Sequence, residues 1–117
     1  MKMILKNTQI VFQKINFLAD KTKTFTNSDS VWLNVLTGVT ANTSYKMRLY
    51  ISDISGTPNR VTIINSHGGS FTDITEYNVT DSGKTITVTP TYDGSIVMQL
   101  KGSSPFSAKI NVQIWLP

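Results

Sequence analysis

The 117-residue sequence predicts an all-β chain, an antiparallel β-sandwich of eight or nine strands forming one domain over residues 1–117. Three observations carry that expectation. Apolar side chains recur at every second position along most of the chain, which sets one face of each strand toward a core. Turn-forming residues interrupt these runs at intervals of roughly 8–12 residues, as in antiparallel sandwiches and barrels. No stretch carries a convincing helical period with a cap.

Element by element, the first strand is expected from Ile4 to Phe17. Ile10 and Phe12 share one parity while Ile15 and Phe17 take the other, so a bulge is expected near Gln13 and Lys14. A helix using Ile4, Val11, Ile15 and Leu18 competes for this stretch but lacks an N-cap and a run of helix formers. A short strand follows at Thr24–Thr26, then a turn at Asn27–Ser30. Val31, Leu33 and Val35 line the inner face of the next strand, and Thr37–Ser44 reads as a loop. Tyr45, Met47, Leu49 and Ile51 alternate with Lys46, Arg48, Tyr50 and Ser52.

Ser55–Asn59 is a turn cluster built on Gly56 and Pro58, leading to Val61, Ile63 and Asn65 on one face. Ser66–Ser70 reads as a glycine loop, and Phe71–Val79 as a weaker strand, best formed from Glu76 on. Asp81-Ser82-Gly83 is expected to close a hairpin through a type I turn with Gly83 in a left-handed position. Three strands end the chain, with inward positions Ile86 and Val88, then Ile96, Met98 and Leu100, then every even residue from Phe106 to Leu116.

Charge is unevenly distributed. Residues 1–23 contain Lys2, Lys6, Lys14, Lys21 and Lys23 against Asp20, and the remaining residues balance, so the whole net charge of +4 lies at the N-terminus. That segment reads either as a basic docking arm for an acidic surface or as an edge strand whose lysines guard against aggregation. Stacking aromatics do not cluster with the basic residues, which argues against a nucleic-acid partner. No apolar run approaches the length of a membrane-spanning helix, and Lys6 ends the only signal-like stretch, Met3–Leu5, so no signal peptide is expected.

Reactive chemistry is sparse. Cysteine is absent and His67 is the single histidine, so no disulfide or transition-metal site is expected. The acidic residues show no calcium-loop spacing; Asp73, Glu76 and Asp81 straddle a strand. Ser66, His67, Ser70 and Asp73 resemble a nucleophile set in composition only, because successive residues on a strand point to opposite faces. A glycosidase pair from Asp53, Asp73, Glu76 and Asp93 would need a cleft that a chain of this size hardly provides. The expectation is therefore a protein without catalysis, cofactor or metal.

The outward parity is more informative. Opposite the core-facing residues stand Trp32, Tyr50, Val97 and Trp115, and Tyr92 sits in a turn. Such residues serve protein interfaces or sugar stacking, or are covered within the chain. Serine, threonine and asparagine supply 37 of the 117 residues, a surface of hydroxyls and amides common to secreted, adhesive and virion proteins.

The stretch Thr89-Pro90-Thr91-Tyr92-Asp93-Gly94-Ser95-Ile96-Val97-Met98-Gln99-Leu100, followed by Gly102, Ser103 and the closing Ile110–Leu116, resembles the end of jelly-roll sandwich modules. These include carbohydrate-binding and galactose-binding-like domains and the head-decoration and fibre domains of tailed phages. The resemblance implies a jelly-roll fold. A start at its own methionine and an end on a strand suit a small complete gene product, which favours a virion accessory protein, homo-oligomeric or clamped to capsid or fibre subunits. The alternative is a secreted or cell-surface carbohydrate-binding module or lectin, with Trp32, Tyr50, Tyr92 and Trp115 as stacking platforms.

Overall fold

The computed structural model describes residues 15–26 and 31–117. Within them the chain is all-β: β1 (Phe17–Thr26), β2 (Trp32–Val39), β3 (Tyr45–His67), β4 (Ser70–Asn78), β5 (Thr85–Val88) and β6 (Gly94–Trp115), with one 3-10 turn at Val79–Asp81. Every pairing is antiparallel. The strand order is β1–β6–β3–β4, with β2 also on β6 and β5 also on β3.

Six strands replace the expected eight or nine among the described residues because two predicted breaks are bridged. Ser55–Asn59 and the Gly102–Ser103 region belong to β3 and β6, which pair with each other from Lys46↔Trp115 to Ser66↔Ser95. A straight strand of 23 residues would span roughly 75 Å. The longest axis of the molecule is 59 Å, so neither long strand runs straight. Three register shifts between Ser52 and Arg60 absorb the bend. There Gly56 has φ 72°, and a Cβ on it would lie 2.2 Å from the Pro105 carbonyl oxygen, so only glycine lets the two backbones approach.

On either side of the bend the long strands take different neighbours. The C-terminal half of β6 pairs with β1 and the N-terminal half of β3 with β5. The N-terminal half of β6 pairs with β2 and the C-terminal half of β3 with β4. Side chains of both halves meet in one buried cluster that includes Phe25, Val35, Met47, Leu49, Ile63, Tyr77, Met98, Leu100, Ile110 and Ile114. The period-two reading of the core holds through β3 and β6, where Tyr45, Met47, Leu49, Ile51, Ile96 and the even residues from Phe106 to Ile114 are all buried. Leu116 departs from it: it lies past the last paired residue, and among the described residues no strand continues over it, so it is exposed.

The connections differ from expectation in three places. Ser66–Ser70 is a two-residue hairpin, with His67 paired to Ser70 and with Gly68 and Gly69 both at positive φ, the geometry of a type I′ turn. That tight turn starts β4 at Ser70, one residue before the expected Phe71, and the strand is paired along its whole length rather than best from Glu76 on. Second, β4 and β5 do not form a hairpin; both lie along the same edge of β3, and the segment between them fills the gap. There the Gly83 N–H donates to the Leu49 carbonyl at 2.7 Å and the Ile51 N–H to Ser82 Oγ at 2.8 Å. Gly83 does take the expected left-handed conformation. Third, the expected short strand at Thr24–Thr26 is the end of a ten-residue β1 paired with β6. The expected bulge at Gln13 and Lys14 and the turn at Asn27–Ser30 lie outside the described residues, as do Lys2, Lys6 and Lys14.

Candidate binding faces

Alternation places one set of side chains of β1, β6 and β3 away from the core. Met47, Leu49, Val112 and Ile114 are buried, so Lys46, Arg48, Tyr50, Asn111, Gln113 and Trp115 point to the other side. The register sets Trp115 beside Lys46 and Phe17, Gln113 beside Arg48 and Asp20, and Asn111 beside Tyr50 and Thr22. Arg48 is the centre of this face. Its guanidinium carbon lies 5.4 Å from the Tyr50 ring centroid and 5.3 Å from that of Trp115, a cation–π contact on each side.

A polar relay fixes the guanidinium. Arg48 donates through Nε and Nη2 to Gln113 Oε1, at 3.0 and 2.7 Å. Gln113 Nε2 in turn donates to Asp20 Oδ2 at 3.5 Å, and Asn111 Nδ2 donates to Asp20 Oδ1 at 2.7 Å. Phe17 meets Trp115 edge-on, with centroids 5.7 Å apart. Tyr50 is 44% exposed, as its outward parity predicted, whereas Trp115 is half-buried by these neighbours.

The other half of the sheet carries a second outward face. Trp32, 39% exposed, and Phe71 belong to strands on opposite edges, yet their ring centroids are 5.2 Å apart. Rings from β2 and β4 can meet only by leaning across β6 and β3 between them. Under that span lie the cross-strand partners Ile64 and Val97, both buried though outside the main core cluster. Val97 has the outward parity expected of it, but at 8% exposure it is covered by its own chain rather than open to a partner.

At the end where the β3–β4 hairpin meets the β5–β6 connection, Tyr92 is 47% exposed and stacks on His67, with centroids 3.8 Å apart and planes 16° from parallel. His67 Nε2 is 2.9 Å from Thr72 Oγ1. Ser66 and His67 are consecutive strand residues and face opposite ways, so no nucleophile–base pair forms between them. Among the described residues no group of three metal-ligating side chains gathers, and no helix is long and apolar enough to cross a membrane.

Of the described basic residues near the N-terminus, Lys21 and Lys23 sit on β1, an edge strand. The Lys21 ammonium donates to the Asn34 carbonyl at 2.8 Å, so this lysine ties β1 to β2. Elsewhere Arg60 and Glu76 form an ion pair at 3.1 Å across the β3–β4 ladder. Among the described residues one titratable group is clearly shifted: burial raises the pKa of the Tyr77 phenol above its ordinary value. Its hydroxyl lies 2.6 Å from the Asp81 carbonyl, 2.7 Å from that of Lys84 and 3.3 Å from that of Leu49, and so pins the crossover from β4 to β5 onto β3.

Several residues that build these faces escape sequence reasoning. Asp20 and Gln113 are ordinary polar residues until the β1–β6 register sets them side by side. Phe71 is recognisable only once Trp32 is known to lie opposite. Asn65 did leave a signal: it shares the inward parity of Val61 and Ile63, and a polar group on a core face must find partners. No protein-family model matches the chain, and neither a curated protein nor a solved structure matches it.

Proposed function

We propose that the protein is a non-catalytic jelly-roll β-sandwich that works by surface contact, as a virion accessory component such as a capsid decoration or fibre protein. Splitting β3 and β6 at their bends gives eight segments in chain order. One half of the sheet then holds the first, eighth, third and sixth, and the other holds the second, seventh, fourth and fifth. That order supports a reading as two interlocked Greek keys rolled into a sandwich. The thinnest dimension, 17 Å, suits two layers stacked about 10 Å apart. Jelly rolls serve viral capsids and lectins alike, so the fold narrows the function by analogy only, and the faces must choose.

The observation that carries the reading is the outward row Tyr50–Arg48–Trp115 with Phe17 beside it. Tyrosine, tryptophan and arginine are the residue types that dominate protein interfaces, and here they stand together on a rigid sheet. In a lattice of many copies, weak contacts through such a face suffice by avidity. Light scattering on the purified chain tests self-association: concentration-dependent oligomers that Tyr50→Ala reduces are expected, and a strict monomer overturns the oligomeric part. Capsid and portal genes beside the coding gene are expected for a virion protein; a neighbourhood of polysaccharide-degrading enzymes overturns that assignment.

A carbohydrate-binding module or lectin is the second reading, secreted or at a cell surface. It is favoured by the same face, where amides, a carboxylate and a guanidinium lie between aromatic rings.

A further inference from the structure

The way Arg48 is held leaves one part of it unspent. Its Nε and one Nη2 proton are directed at Gln113 Oε1. Nη1 makes no hydrogen bond among the described residues, so the outer fork between Nη1 and Nη2 has no partner among them. A planar fork of this kind matches the two oxygens of a carboxylate. Gln113, steadied by Asp20, sets the orientation of the guanidinium, and the rings of Tyr50 and Trp115 flank it. The conformational cost of placing a long arginine is thus met before any ligand arrives.

We infer that this face is a binding site for an acidic saccharide, a sugar ring bearing a carboxylate. The inference deepens the second reading of the function and rests on it. Charge complementarity supports the choice. Lys46 and Lys109 project from the same side as Arg48, and the nearby carboxylate of Asp20 already accepts from Asn111 and Gln113. The exposed Tyr50 ring supports the choice of a sugar. A six-membered ring laid across the outer edge of the Tyr50–Arg48 pair would bring its exocyclic carboxylate to the guanidinium, whose carbon lies over the Tyr50 ring, 5.4 Å from its centroid. The apolar C–H face of the sugar covers the aromatic ring, and its hydroxyls meet the carboxamide of Asn111, which can donate and accept.

The test is a calorimetric titration of the full chain with tetrasaccharides of glucuronate, galacturonate and sialate, each beside an uncharged counterpart. At least one acidic saccharide is expected to bind saturably and at least roughly tenfold more tightly than its neutral counterpart, an affinity that falls as salt rises. Arg48→Lys keeps the charge but loses the fork, and it should cost roughly tenfold, as should Tyr50→Ala. Arg60→Lys, at the ion pair with Glu76 on the other half of the sheet, should leave binding unchanged. Should Arg48→Lys unfold the chain, Tyr50→Ala at an exposed position still decides the matter. Equal binding of neutral sugars lost in Tyr50→Ala overturns the acidic preference but keeps a sugar face. No binding of any member, or equal losses in Arg60→Lys and Tyr50→Ala, overturns the site.

Discussion

Asn65 and Tyr92 hold each other by a reciprocal pair of hydrogen bonds. The Tyr92 N–H donates to Asn65 Oδ1 at 2.9 Å, and Asn65 Nδ2 donates to the Tyr92 carbonyl at 3.2 Å. Asn65 Nδ2 also reaches the Ser95 carbonyl at 3.2 Å. One fully buried carboxamide thus replaces the strand pairing that the connection before β6 lacks, and it sets the Tyr92 ring against His67. Asn65→Leu keeps the size of the side chain but strands the Tyr92 amide and two carbonyls. Urea unfolding should show a loss of about 1–3 kcal/mol, and the Tyr92 loop should lose amide-exchange protection first.

Gly94 is the second constraint on that connection. Its φ is 151°, and a Cβ there would sit 2.1 Å from the Ser66 carbonyl oxygen. Because the obstacle is backbone rather than a movable side chain, Gly94→Ala should cost more than about 1 kcal/mol. The expected reading is a Tm lower by about 5 °C or more. Gly38→Ala, at an open position, is the control: its positive φ alone should cost less.

Tyr77 gives the fold an alkaline limit. Burial raises its folded pKa above the unfolded value of 10.0, so the neutral phenol is the form that the fold favours. Its contribution is complete below pH 10.0 and fades as the pH climbs through the raised folded value. Tyr77→Phe should cost about 1 kcal/mol at pH 7. It should also flatten the fall in stability above pH 10.0, which unfolding curves of the two proteins across that range would reveal.

The Trp32–Phe71 contact is an energetic pair rather than two independent exposed rings. A double-mutant cycle with Trp32→Ala and Phe71→Ala should return a coupling of about 0.5–1.5 kcal/mol. Either variant should also open Val97 and Ile64 to solvent, visible as faster amide exchange across that strand pair. A coupling near zero would mean that the rings touch without covering anything.

Some of this was legible from residue order alone. The inward faces of β3 and β6 follow from apolar residues at every second position, because a pleated backbone sends them to one side whatever lies beyond. The outward parity of Trp32, Tyr50 and Trp115 follows from the same rule. The rule fails where pairing, not pleat, decides. Pro58 and Gly102 read as chain breakers, yet they are cross-strand partners in a continuous β3–β6 ladder. Leu116 keeps the parity of its strand but lies past its last paired residue and is exposed.

What the amino-acid order determined by itself is the secondary structure and the side of each strand that avoids water, since both depend on neighbours one or two residues away. Tertiary structure alone decided which strands lie side by side, and therefore what each outward residue touches. Val97 is sheltered because two rings distant in sequence meet above it, and Arg48 is a fixed fork because Gln113 and Asp20 stand beside it in register. Those contacts join residues up to 93 positions apart. Strand register, set by the packing of the whole core, is what brings them together.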